Sequence, residues 1–345
     1  MAIQETDYDA LFSRYSATNK GYLEDEYLAE LLQSLIDVAP LSAQSPHQQM
    51  NTKRKLLRMK KSIKMPIINR GTFLRTVAID SVIESFLDSF PNEKTQVVSL
   101  GAGSDTRVFR YSDRPNLKWI ECDFEQTVKL KKCAILNSRK LRTCIGINEE
   151  LPANHEEFKS CSPTIDTPSY LLHALDLNEL TDFQQLNISD APTIVLAECV
   201  FCYLPDSTCN NILSLLNSSL SNCSFLIYDP MGGEPTDNFG KVMVNNLAQR
   251  NISMPNLMKY GTLDAQNARF QALGLNLNAA LATIDHVMET WLSREELARI
   301  SKLEFLDELE ECKLLFKHYC LIVLFKGWKP EQNFQVRTIA KSNDE

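Results

Sequence analysis

The sequence predicts an α/β protein built on a parallel sheet with helices on both faces, and three observations predict it. From about residue 70 onward, short apolar runs alternate with amphipathic helical stretches. The first run, VVSL, passes straight into a glycine turn, GAGSD. Later runs end in acidic residues, at the strand ends where open α/β sheets bind their ligands.

The elements follow in order. Residues 1–40 read as helical: Thr6 or Asp7 can cap a first helix, and Leu23, Tyr27, Leu28, Leu31, Leu32 and Leu35 give a second its apolar face. The polar stretch from Pro40 to Asn51 reads as a mobile loop. It leads into KRKLLRMKKSIK, a basic segment from Lys53 to Lys64 that is either a solvated helix face or a landing patch for an acidic partner or phosphate. NRGTFLRTVAIDSVIESFL is an amphipathic helix, and TQVVSL is the first strand. NLKWIECDF is the second strand, YLLHALDL the third, PTIVLAECVFCYL the fourth, NCSFLIYDP the fifth and KHYCLIVLFKG a late one. Residues 137–168 lack periodicity and read as a surface excursion, and 329–345 as a disordered polar tail. The LDELEE run reads as a solvated helix face with Leu303, Leu306 and Leu309 turned inward.

Composition narrows the function. With 345 residues, 44% hydrophobic and 23% charged, the chain can bury a large core and is not wholesale disordered. A net charge of −8 argues against a general binder of nucleic acid or anionic membrane. No apolar stretch approaches the ~18 residues of a membrane span. The acidic start and ten scattered cysteines fit a cytosolic chain of reduced thiols. Cys199 and Cys202 lack the further ligands that a zinc site needs, and read as structural thiols.

Only 11 residues are glycine, so their positions carry weight. Gly101 and Gly103 let backbone approach a ligand closely, and Ser104 or Asp105 can cap the helix that follows. Gly232 and Gly233 follow the fifth strand, as a hinge or close-approach turn, or as a plain strand exit. The GAG turn alone also fits a bare strand end, but the acidic ends add to it. Glu121 and Asp123 stand about twenty residues after Gly103, where a carboxylate can accept from both hydroxyls of a ribose. Asp176 and Leu177 offer an acceptor and an apolar surface suited to adenine, and Glu198 stands unpaired in an apolar run. A dinucleotide site would place a third glycine where this chain has Thr106. A phosphate-free cationic ligand, S-adenosylmethionine, suits the acidic ring better than a diphosphate does.

INRGTFLRT, VVSLGAGSDTR, ECDF, the Asp176-Leu177 pair, AECVFCYL and FLDELEE together resemble the leucine carboxyl methyltransferases, over about residues 5 to 326. The resemblance implies a Rossmann-like class I S-adenosylmethionine-dependent methyltransferase sheet with an N-terminal helical cap and lid insertions. As one domain it would span 1–328, with the cap in 1–70 and a lid or substrate region in 206–277. It implies methyl esterification of the C-terminal leucine of the type 2A protein phosphatase catalytic subunit, which would be the partner. Carried over by position, Arg75 would grip the cofactor carboxylate, Gly101 would line its methionine portion, and Asp123 would hold the ribose. Asp176 and Leu177 would take the adenine, Glu198 would face the charged methionine end, and Tyr203 would sit near the accepting carboxylate. Where the family often has lysine, eight residues before Tyr22, this chain has Arg14, a planar fork in place of a point charge. Methyltransferases for other acceptors and a non-catalytic phosphatase-binding chaperone are the competing readings.

Overall fold

The computed structural model describes residues 2–307 and 309–338. Its helices are α1 (Ala2–Asn19), α2 (Leu28–Val38), α3 (Pro46–Lys60), α4 (Pro66–Asp88), α5 (Arg107–Arg110), α6 (Glu125–Asn137), α7 (Arg139–Ile145) and α8 (His155–Ser160). Further along come α9 (Asp206–Ser219), α10 (Asn238–Gln249), α11 (Leu263–Ala272), α12 (Ile284–Thr290), α13 (Arg294–Ser301) and α14 (Leu309–Lys317). The strands are β1 (Thr95–Leu100), β2 (Leu117–Asp123), β3 (Ile165–Asp166), β4 (Tyr170–Ala174) and β5 (Thr193–Glu198). They continue with β6 (Cys223–Pro230), β7 (Asn278–Thr283), β8 (Tyr319–Phe325) and β9 (Val336–Thr338).

Among the described residues the nine strands form one sheet in the order β3-β4-β2-β1-β5-β6-β8-β7-β9. The five central strands run parallel, with β1 between β2 and β5. Strand order therefore reverses at β1, which opens a crevice at the carboxyl ends of these strands. The alternation along the strands explains why both faces are covered. Val97 and Leu196 join a core with the inner faces of α2, α4 and α6, while Val98, Val195 and Ala197 join another with Ile212, Leu213 and Leu216 of α9. This is the doubly covered, Rossmann-like α/β sheet, with a difference at its edges. β8 and β7 run antiparallel to their neighbours, as do the edge strands β3 and β9.

Several local expectations are corrected. Thr6 and Asp7 lie inside α1 rather than capping it. The stretch read as a loop from Pro40 to Asn51 is helical from Pro46, because Ser45 and Gln48 form a reciprocal capping box and Pro46 sits at the first turn. Only Leu56 of α3 turns fully inward; Lys53 pairs with Asp37 and the basic face is solvated. Residues 137–168 contain α7, α8 and β3. The segment 302–307 is not helical, and Leu309 is exposed, while Leu303 and Leu306 pack against the core. Of the tail read as disordered from 329, residues 336–338 pair with β7 and 339–345 lie outside the described residues. The region 206–277 divides: α9 and β6 are layers of the central fold, and it is the stretch around α10 that borders the crevice. Among the described residues no helix is long and apolar enough to cross a membrane.

Candidate functional site

A cavity of about 520 Å³ opens at the carboxyl ends of the parallel strands, roofed by α1, the start of α4 and α10. Its floor is the turn after β1. Gly101 and Gly103 adopt φ of +58° and +50°, a region that side chains rarely enter. A Cβ at Gly101 would lie 2.9 Å from Val200 Cγ2, and one at Gly103 would overlap the Asp7 carboxylate. The turn is held from both sides by acids. Gly103 N donates to Asp123 Oδ2 at 2.8 Å, and Ser104 donates through its amide and hydroxyl to the two oxygens of Asp7, at 2.7 and 2.8 Å.

The residues singled out from the sequence meet around this floor. Gly101 and Gly103 come from the turn, Asp123 from the end of β2, Asp176 and Leu177 from beyond β4. Glu198 ends β5, Tyr203 follows it, and Arg14 and Arg75 reach in from α1 and α4. Asp176 caps a short helical turn through Asn178 N at 2.9 Å, which places Leu177 against the wall. Cys199 carries the chain out of β5 with φ +55°, a strained conformation that turns Tyr203 back over the cavity. Glu121, the other acid of β2, is fully buried outside the cavity, with Lys131 Nζ and Tyr170 Oη donating to it at 2.6 and 2.7 Å.

Glu198 is not the unpaired acid that its apolar run suggests. It bonds Arg75 Nε through Oε1, and Arg107 Nη1 through Oε2 at 2.8 Å. Arg75 lies over the Tyr228 ring, 5.1 Å from its centre. Arg107 also reaches Asp80 and Asp105, Arg110 pairs with Asp80, and Arg14 bridges Asp105 and Asp25. Four guanidinium groups thus face four carboxylates in one connected network. Burial alone would raise the acids, but the neighbouring cations win: Glu198, Asp80 and Asp105 are all held below the ordinary carboxylate range. Asp123 goes the other way. Burial pushes it up to about 6, the Gly103 amide pulls it down, and Asp7 adds repulsion. Burial also pushes the Tyr203 phenol well up, so at neutral pH it stays protonated.

Sequence reasoning missed Asp7, Asp80 and Arg107. Arg107 gave no local signal, because its partners Asp80 and Glu198 lie 27 and 91 residues away. Asp7 gave none, because its partner Ser104 lies 97 residues away. Among the described residues no group of three or more His, Cys, Asp or Glu could hold a metal ion. All ten cysteines are free.

The family model described as leucine carboxyl methyltransferase matches residues 2–217. A relative from Yarrowia lipolytica is 37% identical over 329 residues, covering 93% of this chain and 95% of that protein. One from Debaryomyces hansenii is 36% identical, covering 92% and 91%, and one from Schizosaccharomyces pombe is 36% identical, covering 93% of both. Each of the three carries the name leucine carboxyl methyltransferase 1.

Proposed function

This chain belongs to the leucine carboxyl methyltransferase family, and from that premise we propose that it methyl-esterifies the C-terminal leucine carboxylate of the type 2A protein phosphatase catalytic subunit. The observation that carries the reading is the shape and charge of the cavity at the strand ends. A glycine floor that a Cβ would fill lies beside acids and an arginine whose Nε alone is committed to Glu198. That donor set fits S-adenosylmethionine, with Arg75 and Arg14 toward its carboxylate, Glu198 toward its ammonium and Asp123 toward its ribose. Asp176 and Leu177 take the adenine, and Gly101 and Gly103 let the backbone approach the methionine portion.

When bound, S-adenosylmethionine supplies a methyl group on a positively charged sulfur. The accepting carboxylate has a pKa of about 3.3 and is already anionic at neutral pH, so the chain need not supply a base. What its residues contribute is orientation and dryness. Tyr203, protonated and above the cavity, can donate a hydrogen bond that fixes one carboxylate oxygen. Leu11, Ile67, Met243, Leu247, Ile252 and Met254 line the walls and exclude water. Neutralisation of Glu198 by Arg75 and Arg107 keeps a bare negative charge from repelling the incoming carboxylate.

The test is transfer of a tritiated methyl group to the phosphatase catalytic subunit, whole and without its terminal leucine. Label is expected on the whole subunit only; label that survives removal of the leucine defeats the assignment. A pH dependence follows as well. An acid near 6 is ionised above that value, and only its ionised form accepts from both ribose hydroxyls. Affinity for S-adenosylmethionine should therefore weaken as pH falls from 7.5 to 5, about tenfold per unit once below the midpoint if one proton controls binding. Calorimetry across that range checks it, and a flat profile would remove Asp123 as the controlling acid.

A further inference from the structure

Arg107 does not line the cavity, yet it is fully buried and contacts three carboxylates. Its Nε donates to Asp80 at 2.5 Å, and its Nη1 to Asp105 at 2.7 Å and to Glu198 at 2.8 Å. Asp80 gives its other oxygen to Arg110 at 2.7 Å. Asp80 and Arg75 both stand on α4, so the path Arg75–Glu198–Arg107–Asp80 closes on itself through the backbone of that helix. The two oxygens of Glu198 are divided, one to each arginine.

That division matters for what Arg75 can do. A carboxylate facing a free guanidinium prefers a two-pronged pairing, in which both oxygens meet two N–H groups. With Oε2 held by Arg107, Glu198 has only Oε1 for Arg75 and engages it at Nε. The terminal amino groups of Arg75 then remain for an anion entering the cavity.

We propose that the Arg107–Asp80 pair is a positioning unit for the donor site, which by holding one oxygen of Glu198 keeps the outer edge of Arg75 free for the ligand's carboxylate. The inference rests on the S-adenosylmethionine reading above. It assigns Arg107 no contact with substrate or cofactor. Its effect is confined to ligands that carry the amino-acid end.

The experiment uses the full chain and two probes. S-adenosylhomocysteine has the amino-acid tail; 5′-methylthioadenosine keeps the adenosine and thioether without it. Arg107→Lys offers one ammonium that cannot span three carboxylates, and should raise the dissociation constant for S-adenosylhomocysteine about tenfold. It should leave 5′-methylthioadenosine within about twofold. Asp80→Asn, a milder change should the first variant fold poorly, is expected to give the same selective pattern at about threefold. In a Glu198→Gln background, adding Arg107→Lys should cost less than about twofold, because the group it positions has lost its charge. Equal losses for both probes, with circular dichroism unchanged, would mean that Arg107 serves the fold alone and would overturn the proposal. No loss for either probe would overturn it too. If the unchanged chain binds neither probe, the donor reading itself falls, a result separate from any effect of the variants.

Discussion

Arg75→Ala is expected to weaken S-adenosylmethionine binding by about tenfold at least, since a charge-assisted hydrogen bond contributes roughly 1.5–3 kcal/mol. Two effects add. In the proposed binding mode the donor carboxylate loses its cationic partner, and Glu198 loses one of the two arginines that neutralise it. A carboxylate compensated only by Arg107 would then face the incoming ligand's own carboxylate in a largely buried site, where charges interact more strongly than in water. Arg75→Lys should recover only part of the loss, because an ammonium cannot bond Glu198 through one edge and the ligand through another. Calorimetry with the folded variants measures it; unchanged affinity in Arg75→Ala would take Arg75 out of the site.

What the sequence made legible was local. The strand ends around the cavity were readable because an apolar run followed by glycine or an acid is a pattern contained within a few residues. Contacts that bridge distant segments were not. Glu198 looked unpaired because Arg75 stands 123 residues before it, on a helix whose packing angle no local rule gives. Asp7 reads as a helix cap because capping is a local use for an acid near a helix start. Its actual partner is the glycine turn. β7 was missed for a different reason. Its sequence NAALAT is dominated by alanine, which has little strand preference, and it becomes a strand because β8 and β9 bond it on both sides. The antiparallel edge followed from the same omission, since with β7 unseen nothing indicated that β8 reverses.

The scarce glycines gather at a second place, and there the expected effect is on stability. Gly232 and Gly233 leave β6 and bond across to the next segment, Gly232 N to Leu257 O and Gly233 N to Gly261 O, both at 2.9 Å. Gly240 is buried in the first turn of α10 directly against this crossing. A Cβ there would overlap the carbonyl oxygen of Gly232 and lie 2.8 Å from Met258 Sδ. Alanine in a helix is worth up to about 1 kcal/mol over glycine, so propensity alone predicts that Gly240→Ala stabilises. The methionine can move, but the carbonyl belongs to a backbone pinned by two hydrogen bonds, and overpacking of that kind costs about 1–3 kcal/mol. Sterics should therefore win, and the melting temperature should fall. Because α10 carries Met243 and Leu247 to the cavity, the variant should also raise KM for the methyl acceptor more than it weakens donor binding. Gly146→Ala is the control: it has φ +74° but open space around its Cβ, so it isolates the backbone cost of roughly 1–2 kcal/mol. A Gly240→Ala protein that melts at or above the parent temperature would show that the crossing yields, and the close backbone approach would then not be what fixes α10 over the site.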